Sequence, residues 1–206
     1  MPMRLMKTPR SVDLSITNSC NLRCTYCSHF SGAGDVGQDL PKEEWLQFFE
    51  DLNRCAVMNV TIGGGEPFCR KDLPELIEGI VRNRMRFNIL SNGTLITDGT
   101  AAFLASTGRC DGVQVSIDGS VPTIHDACRG EGNFLKAMRG IKSLQKYNVP
   151  VPVRVTIHKH NVRDLENVAR LLLEEVGLTR FSTNSDSYMG LCRKNNDQVQ
   201  LTAEER

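Results

Sequence analysis

From Val12 to Thr17 apolar and polar residues alternate one for one, and β-branched side chains close the run, so a strand with one buried face is predicted. The period then lengthens. Across residues 41–55, Trp45, Phe48, Phe49 and Leu52 recur at helical spacing behind Pro41, which suits a first turn, and the aromatic stripe is expected to pack between helix and sheet. The two periods keep exchanging along the chain. Strands are predicted at 57–62, 86–90, 112–117, 151–157 and 179–183. Helices are predicted at 71–84, opened by Asp72, and at 97–107, 133–147 and 163–176, the last stopping before Gly177.

Six β/α steps imply parallel strands joined by right-handed crossovers, in either an open doubly wound sheet or an incomplete barrel. Candidate chemistry at the strand ends favours an α/β fold of the second kind, a partial (β/α)6 TIM-like barrel with its site on the C-terminal face. Residues 1–11 form a short N-terminal extension and 12–206 the barrel. At the far end, Thr202-Ala203-Glu204-Glu205 reads as a capping box for a helix that has barely begun at Arg206. The last helix is therefore expected to be truncated, the chain being a fragment or a protein without that helix.

Composition narrows the class. The 206 residues are 40% hydrophobic and 24% charged, enough for one globular domain, and a net charge of +1 advertises neither nucleic acid nor an acidic partner surface. No run of about 18 apolar residues is available to span a membrane. Eight cysteines would suit a secreted disulfide scaffold, but Met1 to Arg10 carries no signal-peptide core, so a reducing cytoplasmic setting is expected.

The cysteines carry the sharpest signal. Cys20, Cys24 and Cys27 fall in one loop just after the first strand, and three thiolates can hold three corners of a cubane iron–sulfur cluster while leaving one iron open to an exchangeable ligand. The competing reading is a zinc knuckle. Zinc commonly takes four ligands in two close pairs, and no second Cys-Xaa-Xaa-Cys pair is present.

Gly64-Gly65-Glu66-Pro67 follows the second strand, Ser91-Asn92-Gly93 the third and Ser116-Ile117-Asp118-Gly119 the fourth. With the Cys-Xaa3-Cys-Xaa2-Cys loop, this order resembles the radical S-adenosylmethionine superfamily, and the wording is similar to its peptide-modifying branch, whose members usually carry a C-terminal SPASM or twitch domain absent from this chain. The resemblance runs from about Val12 to Phe181. It implies that Cys20, Cys24 and Cys27 ligate a [4Fe-4S] cluster whose unique iron is chelated by the methionine moiety of S-adenosylmethionine. Tyr26 would lie by the adenine; Gly64, Gly65 and Glu66 would receive the methionine amino group; Arg129 would pair with its carboxylate. Ser116, Asn92 and Asp118 would take ribose hydroxyls or the cosubstrate carboxylate. No catalytic side chain is needed beyond this cluster and cosubstrate site.

The function implied is reductive cleavage of S-adenosylmethionine to a 5′-deoxyadenosyl radical, followed by hydrogen abstraction from a ribosomally made peptide. A reductase such as flavodoxin or ferredoxin would supply the electron; neither nucleic acid nor membrane is implied. The same motifs occur in haem and molybdenum-cofactor biosynthesis and in sulfatase maturation, and a truncated cluster-binding module without turnover is a further alternative. The other cysteines, Cys55, Cys69, Cys110, Cys128 and Cys192, read as small buried hydrophobes, with Cys69 and Cys192 also candidates for an auxiliary cluster or substrate chemistry. His158 and His160 read as loop or surface residues, and His29 as packing beside the three-cysteine loop.

Overall fold

The computed structural model describes residues 7–30 and 38–204. The residues before Lys7, the glycine-rich stretch that begins at Ser31, and Glu205 and Arg206 of the terminal capping box lie outside them. Six strands, β1 (Ser11–Thr17), β2 (Asn59–Gly64), β3 (Arg86–Ser91), β4 (Cys110–Ser116), β5 (Val153–Ile157) and β6 (Phe181–Ser185), form one sheet in the order of the sequence. Every neighbouring pair is parallel.

That order decides between the two topologies. A doubly wound sheet reverses direction and so places helices on both faces, whereas right-handed crossovers that always step the same way put every helix on one face and curl the sheet. The crossover helices are α1 (Lys42–Arg54), α2 (Leu73–Arg82), α3 (Asp98–Ser106), α4 (Pro122–Arg129), α5 (Asn133–Lys146) and α6 (Leu165–Arg170), the last continuing as a π-helical turn over Leu171–Glu175. Val60, Ile62, Phe87, Ile89, Val113, Val115, Val153 and Val155 point into the main core, with Leu76, Ile80, Leu104, Ile141 and Leu172 from the helices. The alternate residues on the inner face are mostly polar, Leu90 and Pro152 apart. Asp13, Thr61, Asn88, Gln114 and Arg154 line a cavity where a closed barrel would stack branched apolar side chains.

Several expectations are corrected. Phe48 is 39% exposed, because it sits to one side of the line joining buried Trp45, Phe49 and Leu52; its ring meets only the edge of Trp45, at 6.0 Å. Asp72 precedes α2 without capping it, since Arg70 takes both carboxylate oxygens at 2.7 and 2.8 Å. Thr97 does cap α3, accepting the Thr100 amide at 3.2 Å. The helix predicted over 163–176 starts later, as residues 158–164 are spent on a turn in which Asn161 and Val162 donate to the His158 carbonyl. Among the described residues three α-helices went unpredicted, α4 and the short α7 (Gly190–Lys194) and α8 (Asn196–Val199), as did a 3-10 turn over Pro67–Cys69.

Candidate active site

The loop after β1 folds across the strand ends and is pinned where it starts. Thr17 donates its hydroxyl to Asp39 at 2.6 Å and the Asn18 amide donates to the same carboxylate at 2.8 Å. Within the loop, the Leu22 amide donates to Cys20 Sγ at 3.4 Å, the Cys27 amide closes a turn on the Cys24 carbonyl, and Arg23 bridges the Cys20 and Leu22 carbonyls. Cys20, Cys24 and Cys27 border a cavity of about 280 Å³, together with Tyr26, Gly64, Gly65, Asn92, Ser116 and Arg129. The sequence-predicted site residues thus meet in one place, with two exceptions. Glu66 and Asp118 lie behind the wall.

Both buried carboxylates are consumed by the loops they join. Glu66 accepts Ser91 Oγ at 2.9 Å, the Asn92 amide at 2.7 Å and the Phe68 amide at 3.2 Å, which ties the β2 loop to the β3 loop. Burial pushes its carboxyl up, against the pull of those three donors. Asp118, fully buried, accepts the Tyr26 hydroxyl, Arg129 Nε at 2.5 Å and the Thr156 amide at 2.9 Å. Burial opposes its charge, yet the Arg129 guanidinium and these hydrogen bonds hold its carboxyl below the usual range. Burial alone would lower Arg129, but Asp118 raises it well above the ordinary arginine value, so this cation is permanent.

Geometry leaves some donors open. Arg129 Nη2 and the Ser116 hydroxyl, both on the cavity wall, have no hydrogen-bond partner among the described residues, while Arg129 Nη1 lies 4.0 Å from Cys24 Sγ. Gly64 has φ +120, a left-handed value that favours glycine, and a Cβ there would strike the Thr17 carbonyl; at Gly65 it would strike Ser19. Only bare backbone can therefore run this close to the β1 loop. Burial raises the Cys20 thiol and pushes Cys24 up to about 11 despite Arg129, so these thiols stay protonated at neutral pH unless a metal takes the proton's place. Among the described residues no three His, Cys, Asp or Glu side chains converge closely enough to hold a single ion. Three thiols that face one cavity without meeting at a point suit ligands of separate irons, and the donor set fits a cubane better than a lone zinc.

The sequence did not reveal what supports this loop from outside. Gly190, at φ +57, packs so tightly that a Cβ would come within 2.5 Å of the Phe30 carbonyl oxygen and 2.7 Å of those of Cys27 and Ser28. The Leu191 amide donates to the Cys27 carbonyl at 2.8 Å, and Asn195 Nδ2 to the Thr25 carbonyl at 2.9 Å. Asn21, inside the cysteine motif, accepts Asn92 Nδ2 and donates to Thr94 Oγ1, both at 2.9 Å. Isolated glycines and asparagines carry no periodic signal, which is why Gly190, Asn195 and the bridging role of Asn21 were invisible.

The histidine and cysteine readings need amendment. His158 is buried, not at the surface; its ring stacks on Tyr26 at 5.3 Å. His125 accepts the Asp118 amide through Nδ1 at 3.1 Å. Burial lowers both imidazoles to about 4 and so keeps them neutral. His29 does border the cavity. Cys128 and Cys192 share a small apolar cluster with Tyr26 and Val199, as buried hydrophobes do, whereas Cys55 is exposed. Cys69 sits half-buried with its Sγ 4.0 Å from Asn21 Oδ1.

A curled parallel sheet with a three-thiol loop on the C-terminal ends of its strands defines a barrel domain built for a cluster and an adjoining cosubstrate. The chain belongs to the radical SAM superfamily, whose model matches residues 14–172. Members of this superfamily use a [4Fe-4S] cluster and S-adenosylmethionine. The chain is 34% identical over 169 residues to the mycofactocin maturase MftC of Mycobacterium tuberculosis, covering 82% of this chain and 43% of that protein. It is 35% identical over 161 residues to the sporulation killing factor maturation protein SkfB of Bacillus subtilis, covering 78% and 38%. It spans about half or less of the length of these curated relatives. Streptococcus suis SuiB bound to its precursor peptide SuiA superimposes with a TM-score of 0.76 at 18% identity, over 88% of this chain and 40% of that one, a likeness of fold.

Proposed function

We propose that this chain is the radical-generating domain of an enzyme that modifies a ribosomally made peptide. The observation that carries the reading is the meeting of three thiols, the Gly64-Gly65 backbone and the half-satisfied guanidinium of Arg129 around one cavity. Cys20, Cys24 and Cys27 would each hold one iron of a [4Fe-4S] cluster, with S-adenosylmethionine beside it. Bound there, the pair supplies reductive cleavage to a 5′-deoxyadenosyl radical able to take a hydrogen atom from a C–H bond.

The protein's part is binding and orientation. The bare backbone of Gly64 and Gly65 admits the methionine amino group, and the open Nη2 of Arg129 takes the methionine carboxylate. Ser116, with its hydroxyl unpaired, faces the ribose, and Asn92, whose Oδ1 accepts from Thr94 while Nδ2 donates to Asn21, would offer it only its second amide hydrogen. Tyr26, fixed by Asp118, stacked on His158 and lying under the Arg129 guanidinium, would edge the adenine from the cavity wall. Glu66 and Asp118 act through others: their carboxylates are filled, so they hold the amino-group and carboxylate sites in register. That is a different part from the direct contacts which the family resemblance implies for them.

A peptide substrate is supported by the maturases among the relatives and by the polar inner wall, whose amide and hydroxyl groups match a peptide backbone. Eight free cysteines suit a reducing cytoplasmic compartment and a flavodoxin- or ferredoxin-type electron donor. Among the described residues no helix is long and apolar enough to cross a membrane. The test is anaerobic reconstitution with iron and sulfide, dithionite reduction and chromatography for 5′-deoxyadenosine after adding S-adenosylmethionine, with the Cys20/Cys24/Cys27 triple alanine variant as control. Product from wild type alone supports the reading. A cluster without product identifies a module that does not turn over, and absence of a cluster overturns the assignment of the three cysteines.

A further inference from the structure

The inner wall of the sheet continues below the candidate site. Leu90 and Gln114 border both the upper cavity and a second cavity beneath it, which is also lined by Asp13, Thr61, Asn88, Pro152 and Arg154. The two spaces are therefore contiguous along β3 and β4. Arg154 is the cation of this wall. On β5 it stands in register between Ser116 of β4 and Ser182 of β6, and one step above it Thr156 and Asn184 already border the upper cavity. Two residues of strand rise about 7 Å, within the length of an arginine side chain.

Arg154 has little to do for the fold. Among the described residues its side chain makes only one hydrogen bond, a long one from Nε to Ser182 Oγ at 3.5 Å, and no carboxylate lies within ion-pairing distance of it. Asp13, across the lower cavity on β1, does not pair with it. The residues around the guanidinium are a serine on each side, the Gln114 amide and Asn88 further along, all able to donate or accept but none charged. An unpaired guanidinium whose near neighbours are neutral, with the acidic Asp13 of the cavity set off on β1, suits a carboxylate, because its planar fork offers two parallel donors.

We propose that Arg154 is a specificity-determining residue, which grips a carboxylate of the substrate peptide, an Asp or Glu side chain or the free C-terminus, below the cosubstrate and so sets which residue is presented to it. This inference rests on the peptide-modifying reading above, and deepens it to a peptide that carries a carboxylate close to the atom attacked. Arg129 already serves the upper cavity from α4, so the two cations would divide cosubstrate from substrate.

The test uses the full chain, reconstituted, and a randomised library of acetylated hexapeptides prepared with both free and amidated C-termini, captured at equilibrium and read by mass spectrometry. Wild type is expected to enrich peptides bearing Asp, Glu or a free C-terminus about fivefold over their amidated counterparts, as a charge-assisted hydrogen bond would give. Arg154→Gln should lose that preference and Arg154→Lys retain part of it. Both variants should bind S-adenosylmethionine and form 5′-deoxyadenosine without peptide as wild type does. Equal capture of acidic and neutral peptides by wild type, or an unchanged preference in Arg154→Gln, overturns the proposal. So does weakened S-adenosylmethionine binding in Arg154→Gln with no change in peptide preference, which would assign Arg154 to the cosubstrate. Failure of the radical reading shows separately, as absence of 5′-deoxyadenosine from wild type.

Discussion

Asp118 carries more of the site's geometry than any residue that touches the cavity. Its carboxylate is the common acceptor for Tyr26, Arg129 and Thr156, and its backbone carbonyl accepts Asn161 Nδ2 at 2.8 Å. Asp118→Asn leaves Arg129 buried without its counter-charge and is expected to cost about 3 kcal/mol of stability in urea unfolding. The double variant Asp118→Asn/Arg129→Gln should recover part of that loss, and an equal or larger loss in the double would show that the charge pair is not the cause. His125 and His158 give a second outcome at this scale. Both titrate near 4 when folded, well below the unfolded imidazole value, so the unfolded chain binds protons that the folded one does not. Their contribution is full above the unfolded value and is lost as pH falls towards 4. Unfolding of the metal-free protein at about pH 7 and about pH 5 should differ by about 2 kcal/mol for each histidine, and His125→Gln should reduce the difference. A slope that does not change in that variant would mean that His125 titrates in the folded protein as it does in the unfolded chain.

At the scale of elements, the three-cysteine loop is held between two things, the strand ends beneath it and α7 above. The lower contacts were legible in the sequence, because Gly64-Gly65-Glu66-Pro67, Ser91-Asn92-Gly93 and Ser116-Ile117-Asp118-Gly119 each end a strand whose alternation fixes its length. α4 was missed although it carries Arg129. Its eight residues are too few for a periodic signal, and its fold depends on Asp126, which accepts the Gly132 and Phe134 amides across the turn into α5. α7 was missed for the same reason, being five residues placed by long-range contacts with residues 25–30. Gly190→Ala tests that placement. Both its φ of +57 and the three nearby carbonyl oxygens oppose a side chain, so a loss of about 2 kcal/mol and a lower iron content after reconstitution are expected. Gly132→Ala is the matched control: φ is +77 there but nothing lies within 4 Å, so the backbone cost of about 1 kcal/mol should appear without loss of iron. Equal iron content in the two variants would separate α7 from the loop it covers.

For the molecule as a whole, sequential strand order leaves β1 and β6 with one partner each, β2 and β5. The edges are not equivalent. β1 is anchored beyond its ladder, since Arg70 donates to the Ile16 carbonyl at 2.7 Å and Asp39 holds Thr17 and Asn18. Among the described residues β6 has no such ties outside the sheet, and its side chains from Ser182 to Ser185 are exposed. The centre of the sheet is different again, with Val60, Ile62, Phe87, Ile89, Val113 and Val115 sealed beneath helices. Local opening follows buried apolar contact, so amide exchange should fall in three classes: slowest in β2, β3 and β4, intermediate in β1 and fastest in β6. Hydrogen exchange read by mass spectrometry on the full chain checks this ranking. The consequence reaches the candidate site, because Thr156 and Asn184, which share a 3.4 Å hydrogen bond, form the wall of the cavity on the β6 side. If β6 exchanges as slowly as β2, the sheet is rigid across its width and the site has a fixed wall on both sides. If it exchanges first, that side of the cavity opens before any other, and a substrate seated against Arg154 would itself close it, slowing exchange in β5 and β6 while leaving β2 unchanged.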